Sequence, residues 1–508
     1  MHARINAKNM LREGKPFSSI LKFSVPLIIG DFCQQLYNAI DSIIAGRYIS
    51  TDALAALGSA APVMNIVVFL LIGFAMGGGV VMSRYYGANE DEKVRHTMST
   101  ALAIGLIFTL VLSVASIAFS KPFLRLLNTK ESILTDTDNY LKIVFAGAIF
   151  TYLYNFYCFS IRAIGDSFTP LMFLFVSVAF NAVLDILFVV VFKWGVEGTA
   201  FATVLAQVLS SVLCIIYTNK KYSLLKMSIK DIRIDKKIVM EITSYSLSMS
   251  IQQVFVYVGR IAIQGLVNTY PLNSVAGINI GTRLDSLLQT PMRGYVNALT
   301  TYTAQNYGAH KYKRVIEGYK ASWIFVAVYS VVATAFTVLC AKWMVSLFDD
   351  NPEVIATGTG YTVAIGWGYF LMCIIVQSQG VFKGIGLLKT FVISTFTSII
   401  FRIAFSYLFD YKWGIDGMYW APTASWVIGG TYCFICMMIA YRKKLLPLAM
   451  QESLKSEEDL KFGDLNSEDK EDEAFGYDDL QNSENVNGKE KLWDYSDFKE
   501  EEDKSDKL

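Results

Sequence analysis

The apolar residues of this chain come in long unbroken runs rather than in alternating or short clusters. Six lie at roughly 17–45, 53–83, 96–119, 139–163, 168–192 and 196–218. Six more lie at roughly 239–267, 274–304, 317–345, 355–382, 388–409 and 417–441. A lipid-crossing helix needs about 20 mostly apolar residues, because every backbone polar group must be satisfied within the span. Twelve transmembrane helices are therefore expected. The first run is too long for a cleavable signal peptide, contains Asp31 and Asp41, and lacks a small-residue cleavage site.

The two sets of six resemble each other. Arg162-Ala-Ile-Gly165 matches Lys383-Gly-Ile-Gly386, and Tyr86-Gly-Ala-Asn89 matches Tyr307-Gly-Ala-His310, both at an offset of 221. Trp194-Gly-Val-Glu-Gly198 matches Trp413-Gly-Ile-Asp-Gly417 at an offset of 219. All three fall in loops. An offset of six helices restores the same orientation, so the repeat is parallel, with its pseudo-axis along the membrane normal. Transporters rock such halves around a central site near the midplane.

Composition agrees with a membrane protein: 53% of residues are hydrophobic and only 18% charged, against about 25% in soluble domains. The net charge of +1 conceals two opposed parts. From Gln451 onward there are 21 Asp and Glu against 8 Lys, and the body carries the balancing excess of Lys and Arg. One set of alternate loops carries 24 Lys and Arg and the other set 7. The positive-inside rule then places both termini in the cytoplasm, and the protein in the plasma membrane. Residues 1–16 read as a basic cytoplasmic strip on the anionic leaflet. Residues 17–218 form an N-terminal lobe, 219–237 a cytoplasmic linker, 238–444 a C-terminal lobe, and 445–508 an acidic tail too polar to fold alone.

Ionisable groups at bilayer depth cost roughly 2.5–3.5 kcal/mol on insertion scales and mark function. The first span carries Asp31, Gln34, Gln35, Tyr37, Asn38 and Asp41; its polar positions share one helical face, expected to line a watery cavity. Pro26, near the start of that span, removes one helix hydrogen bond and is a candidate hinge. Asn181 and Asp185 stand one turn apart in the fifth span, Thr203 and Gln207 in the sixth, and Asn155 lies among tyrosines in the fourth. Carboxylate, amide and hydroxyl together suit either a proton or Na⁺, since a desolvated carboxylate takes up a proton and a hard cation takes oxygen ligands. The second half differs. Its seventh span offers Gln252, Gln253, Tyr257, Arg260 and Gln264; its eighth offers Arg283, Asp285, Gln289 and Arg293, where Asp285 is either an ion-pair partner of one of these arginines or a gating or substrate contact. The tenth has only Gln377 and Gln379 at depth.

No nucleotide-binding, zinc or nucleophile motif appears. The seven cysteines read as packing residues, and Gly77-Gly78-Gly79 as a site of close helix contact. The chain is expected to be no enzyme and to hold no cofactor.

In Gln34-Gln35-Leu-Tyr-Asn-Ala-Ile-Asp41-Ser-Ile-Ile-Ala-Gly46-Arg47, Ala53-Leu-Ala-Ala-Leu-Gly58, Arg162-Ala-Ile-Gly-Asp166 with Thr169-Pro170, Asn181-Ala-Val-Leu-Asp185, and Trp194 to Gln207, the chain resembles the multidrug and toxic compound extrusion (MATE) family. The resemblance covers about residues 15–445 and looks like the DinF-like branch, since glutamines stand where the NorM-like branch has acids in the seventh and tenth spans. It implies an all-α polytopic fold of twelve transmembrane helices, in two pseudo-symmetric six-helix bundles forming a V. It also implies a cation-coupling site at Asp41, Asp185, Asn181 and Thr203, with Asn155 nearby. The expected function is antiport, by alternating access, of cationic or amphipathic small molecules against H⁺ or Na⁺. Substrate would meet Asp31, Gln34, Tyr37, Asn38, Gln207, Gln253, Tyr257 and Asp285. The expected partners are that substrate and the bilayer, with no nucleic acid, and the protein a monomer. A flippase for a lipid-linked precursor is the alternative that Arg260, Arg283 and Arg293 keep open.

Overall fold

Long apolar runs satisfy their backbone in helices, and helices account for almost everything seen. The computed structural model describes residues 9–49, 51–127, 129–226 and 235–455; the side chains of 37–43, 45–47, 51, 52 and 54 lie outside that description. The helices are α1 (Met10–Glu13), α2 (Pro16–Tyr48), α3 (Thr51–Gly87), α4 (Asp91–Leu126), α5 (Glu131–Ala146), α6 (Ala148–Ala163), α7 (Phe168–Asp185) and α8 (Gly195–Lys221). They continue as α9 (Lys236–Val267), α10 (Leu272–Gly308), α11 (Tyr312–Ser346), α12 (Pro352–Gly366), α13 (Tyr369–Ile385), α14 (Leu388–Met418) and α15 (Ala421–Ala440). A π-helical run, Ile186–Val191, extends α7, and a second, Tyr441–Leu445, carries the last span on to Lys455, past the expected limit at 444. Met1–Glu452 forms one compact unit; Ser453–Leu508 forms a second, and all of it beyond residue 455 lies outside the described residues.

The twelve expected spans correspond to twelve helical rods. Eight pass as membrane spans on length and hydropathy alone. Two more are bent pairs, α5 with α6 at 46° and α12 with α13 at 53°. The last two, α9 and α10, are long enough but carry Arg260, Arg283, Asp285 and Arg293, which lower their hydropathy. They do not face lipid alone, since α9 packs along α3 and α14, and α10 along α2, α3, α12 and α13.

The internal repeat is written into the backbone. The bends fall at Gly147 and at Gly368, 221 residues apart. Each repeated motif holds a left-handed residue at the matching place: Asn89 and His310 (φ 58° and 56°), Gly165 and Gly386 (94° and 82°), Gly195 and Gly414 (63° and 64°). Only glycine adopts that region freely, with asparagine and histidine next, so these positions restrict the sequence of both halves. The change of offset from 221 to 219 also has a structural origin. The first half holds two extra residues between Gly165 and Trp194, and the π run falls in that interval. A π run is the usual form of an insertion accommodated inside a helix, often at functional sites. Here it begins directly after Asp185.

The lobes α2–α8 and α9–α15 meet along α3·α9, α2·α10 and α3·α10. A Cβ on Gly73 or Gly77 would collide with the backbone of Ser250 or Ser246, which accounts for small residues on this face of α3. Ser246 and Ser250 donate to Phe74 O and Leu70 O at 2.9 and 2.8 Å. Nearer the helix ends the contact is reciprocal. A Cβ on Gly87 would strike Gln305 O, and one on Gly308 would strike Arg84 O. The two helices thus cross backbone to backbone on the pseudo-axis.

Candidate functional site

Of the expected coupling residues in the N-terminal lobe, Asn181 and Asp185 lie on α7 and Thr203 on α8. Asn181 is 1% and Asp185 0% exposed, one turn apart on α7. Thr203 and Gln207 are half-buried on α8, which packs along α7. At about 1.5 Å per residue, Asp31 lies ~22 Å from the start of α2, near the middle of that helix, and Asp185 ~26 Å from the start of α7, past the middle of its 24-residue span, so both sit inside the membrane. Asp31 is half-buried, within the electrostatic reach of Arg162 and Arg293, while Gln34 is exposed. Backbone positions 37, 38 and 41 continue α2, which packs along α7; the side chains of Tyr37, Asn38 and Asp41 lie outside the described residues. Asn155 spends its amide within α6, donating to Thr151 O at 2.8 Å. A concavity of about 520 Å³ opens beside this group, lined by Phe188, Trp194, Glu197, Phe201 and Leu205. It is an aromatic surface next to the π run and does not reach the polar residues between the lobes.

The C-terminal lobe departs from expectation in one respect. Asp285 (7% exposed) is held by other partners than the arginines. Gln289 Nε2 donates to both carboxylate oxygens at 2.8 Å, and Tyr369 Oη donates to Oδ1 at 3.1 Å. Among the described residues no ion pair joins Asp285 to Arg260, Arg283 or Arg293. Arg293 turns back along its own helix instead, donating to Ser286 O at 2.7 Å. Gln377 and Gln379 serve as cross-links, the first to Ser322 Oγ and Tyr319 O, the second to Ser394 and Thr395. Gln253 is half-buried, and Tyr257 accepts from Asn65 Nδ2 across the seam at 3.2 Å and stacks edge-on with Phe69.

One face of the molecule gathers the N-terminal segment and the basic loops, and there the seam is closed. Arg84 Nη1 meets Glu241 Oε1 at 2.8 Å and Tyr245 Oη at 3.1 Å, and Tyr85 Oη donates to Glu241 Oε2 at 2.7 Å. Gln305 donates to Ala163 O, and Asn306 to Leu11 O. The basic segment expected on the membrane surface is, over residues 10–14, tucked into this closure. Arg12 donates to Gly87 O and Asn89 Oδ1 from one lobe, while Arg314 of the other donates to Gly14 O at 2.6 Å. Pro26 stays inside a continuous α2, two residues from Ile28, which packs on Gly294 of α10.

The sequence reading missed Glu241, which lies near the start of its seventh apolar run, and it missed Arg402. The signal for Arg402 was present: it stands 221 residues after Asn181.

Two parallel six-rod lobes, with a buried Asn181–Asp185 pair in one and a closed seam at one face, define a polytopic helical transporter. The MatE family model matches residues 26–187 and again residues 248–408, one match per lobe. The chain belongs to the MatE family. It is 26% identical over 370 residues to the probable multidrug resistance protein YoeA of Bacillus subtilis (strain 168), covering 71% of this chain and 80% of that protein. It is 26% identical over 407 residues to the probable multidrug resistance protein YpnP of the same organism, covering 80% and 91%. A solved structure described as the outward-facing conformation of a multidrug resistance MATE family transporter of the MOP superfamily matches with a TM-score of 0.81 at 22% identity, over 87% of this chain and 98% of that one. At that identity the likeness establishes the fold.

Proposed function

We propose that this protein is a cation-coupled multidrug exporter of the DinF-like type, exchanging H⁺ or Na⁺ for amphipathic small molecules. The observation that carries the proposal is the burial of Asp185 one turn from Asn181 inside the membrane. A carboxylate there is costly to keep charged, and taking up a proton or a cation lowers that cost. Asp41 shares the site in this reading, and Thr203 supplies a further oxygen. The relatives named as multidrug resistance proteins support small-molecule export over lipid-precursor flipping.

The closure of the basic face supports an alternating-access cycle, taken here as cytoplasm-closed, with both termini cytoplasmic in the plasma membrane and the protein acting as a monomer. Cation uptake changes the packing of α2, with Pro26 as flex point, and releases substrate outward. Loss of the cation on the other side resets the site.

The test is efflux of ethidium from proteoliposomes under separately imposed pH and Na⁺ gradients. One gradient should drive efflux, and Asp185→Asn and Asp41→Asn should each abolish it. Undiminished efflux in either variant overturns the site.

A further inference from the structure

The internal repeat allows the N-terminal coupling site to be mapped onto the other lobe. At the offset of 221, Asn181 and Asp185 of α7 correspond to Arg402 and Ser406 of α14. The repeat has kept the place and inverted the charge. Ser406 is buried and bonds Arg402 O at 2.8 Å, so nothing at the second position neutralises the guanidinium one turn away.

Arg402 is not alone. Gly259 of α9 packs on Ile399 of α14, and Phe255 lies 4.0 Å from Phe396 between ring centroids. This packing sets Arg260 beside Arg402. Both lie in one field with Arg293 and Asp285 of α10. Helix rise puts Arg402 ~21 Å and Arg293 ~22 Å from the basic-face ends of their helices, the depth of Asp31 opposite and about one turn short of Asp185. Three guanidiniums therefore face Asp285, which is already engaged by Gln289 and Tyr369, and Arg293 alone of the three also feels Asp31, which it shares with Arg162. Among the described residues no carboxylate lies within ion-pair distance of Arg260, Arg293 or Arg402, and Arg402 Nε is buried without a hydrogen-bond partner. Cationic groups at this depth, in excess over the nearby carboxylates and unpaired with them, are costly to keep, and a planar guanidinium is matched to a carboxylate, sulfonate or phosphate.

We propose that Arg260 and Arg402, with Arg293 at the seam, bind the oxyanion of an amphipathic substrate, which therefore carries an acidic group and an apolar body. The coupling cation occupies the acidic lobe and the substrate's anion the basic lobe. The inference rests on the exporter reading above and adds acidic amphiphiles to its substrate class.

The test uses the full chain in proteoliposomes with three probes: ethidium, the amphipathic sulfonate anilinonaphthalene sulfonate, and a fluorescent phosphatidylglycerol. Wild type should move the sulfonate under the coupling gradient. Arg402→Asn, which restores the residue of the other half, and Arg260→Gln should each cut that flux about tenfold or more, the cost of one lost charge-assisted contact, and spare ethidium. Arg402→Lys should recover part of it. Movement of the labelled lipid, if Arg402→Asn stops it, also supports the oxyanion site and assigns its ligand to a headgroup. Ethidium transport that stops in Asp185→Asn, with neither anionic probe moved, overturns this inference and leaves the exporter reading intact. Equal loss of every probe in the arginine variants also overturns it, because that pattern denotes a structural role. Failure of all probes in wild type strikes the exporter reading itself.

Discussion

The two lobes share a backbone and differ in chemistry. Bends, left-handed residues and loop motifs recur at 221 or 219 residues, so the repeat retains what the fold needs. The polar residues inside do not recur. The N-terminal lobe buries Asn181 and Asp185. The C-terminal lobe has Arg402 and Ser406 at the same places, and its buried amides are tied off by Ser322, Ser394 and Thr395. The difference teaches that the symmetric scaffold supplies a way for the halves to move against each other, and that asymmetry in a few side chains gives the movement a direction.

The sharpest way to break this comparison is to treat the lobes alike. Asp185→Asn is expected to lower gradient-driven efflux at least 100-fold, on the order of 3 kcal/mol or more in coupling. Gln377→Met, equally buried in the other lobe, should cost about 1–3 kcal/mol of stability through unsatisfied partners and leave gradient coupling intact in the folded protein. Efflux and thermal melting of both variants check this. Uncoupled transport in Gln377→Met would mean that the C-terminal lobe also carries the ion.

Next in size are the glycines on the axis. Gly87 and Gly308 contact each other's helices reciprocally, so Gly87→Val and Gly308→Val should have the same effect although they lie in different lobes. Each should prevent closure at the basic face and reduce turnover about tenfold or more, since a branched side chain cannot be fitted into backbone contact. Cysteine-crosslinking yield between the ends of α3 and α10 would report the closure directly. Normal turnover with normal crosslinking would show that the crossing is loose.

Much of this was legible in the chain. The apolar runs, the repeat and the N-lobe acids follow from periodicity and from the cost of charge in lipid, because those constraints act on each residue separately. The bends at Gly147 and Gly368 were not legible, since a lone glycine in an apolar run has no unique meaning. Nor was the closure, where the decisive atoms at Leu11, Gly87 and Ala163 are backbone carbonyls, which carry no sequence signal. Glu241 shows the intermediate case: its type is visible, but its role depends on Arg84 and Tyr85 lying across the seam from it.

That pair gives a smaller effect. The latch Arg84–Glu241 has no counterpart, because Gln305 stands at the repeat position of Arg84 and Ile20 at that of Glu241. Its two side chains are about one-quarter exposed (26% and 25%), so the pair contributes about 1–2 kcal/mol to the closed state. Glu241→Gln should shift the equilibrium toward opening at the basic face by up to about tenfold. The exchange Arg84→Glu with Glu241→Arg should recover part of it. Protease accessibility of the 235–241 segment measures the shift; an unchanged rate would assign closure to the glycine crossing alone.

The smallest effect separates the lobes at the entry to α7 and α14. In the first half Asp166 caps the helix: Phe168 N and Thr169 N donate to Oδ1 at 3.0 and 2.9 Å, Thr169 Oγ1 to Oδ2 at 2.8 Å, and Tyr222 Oη to Oδ2 at 2.5 Å. In the second half Leu387 stands at that place and caps nothing. Burial would raise the Asp166 carboxyl, but the bonds from Thr169 and Tyr222 and the nearby Lys221 ammonium outweigh it and hold it below the usual carboxylate range. A folded-state value below the unfolded one means stability that is full above the unfolded value, near 3.9, and lost as pH falls through the folded value. Asp166→Asn should thus lower thermal stability by about 1 kcal/mol at neutral pH, and the gap to wild type should close as the pH falls through the folded-state value, below the usual carboxylate range. Leu387→Asn should show no such pH-dependent gap. If the Asp166 gap persisted unchanged in acid, the cap would act through shape and neutral hydrogen bonding alone, and the charge that distinguishes the two helix entries would have no part in holding α7 to the end of α8.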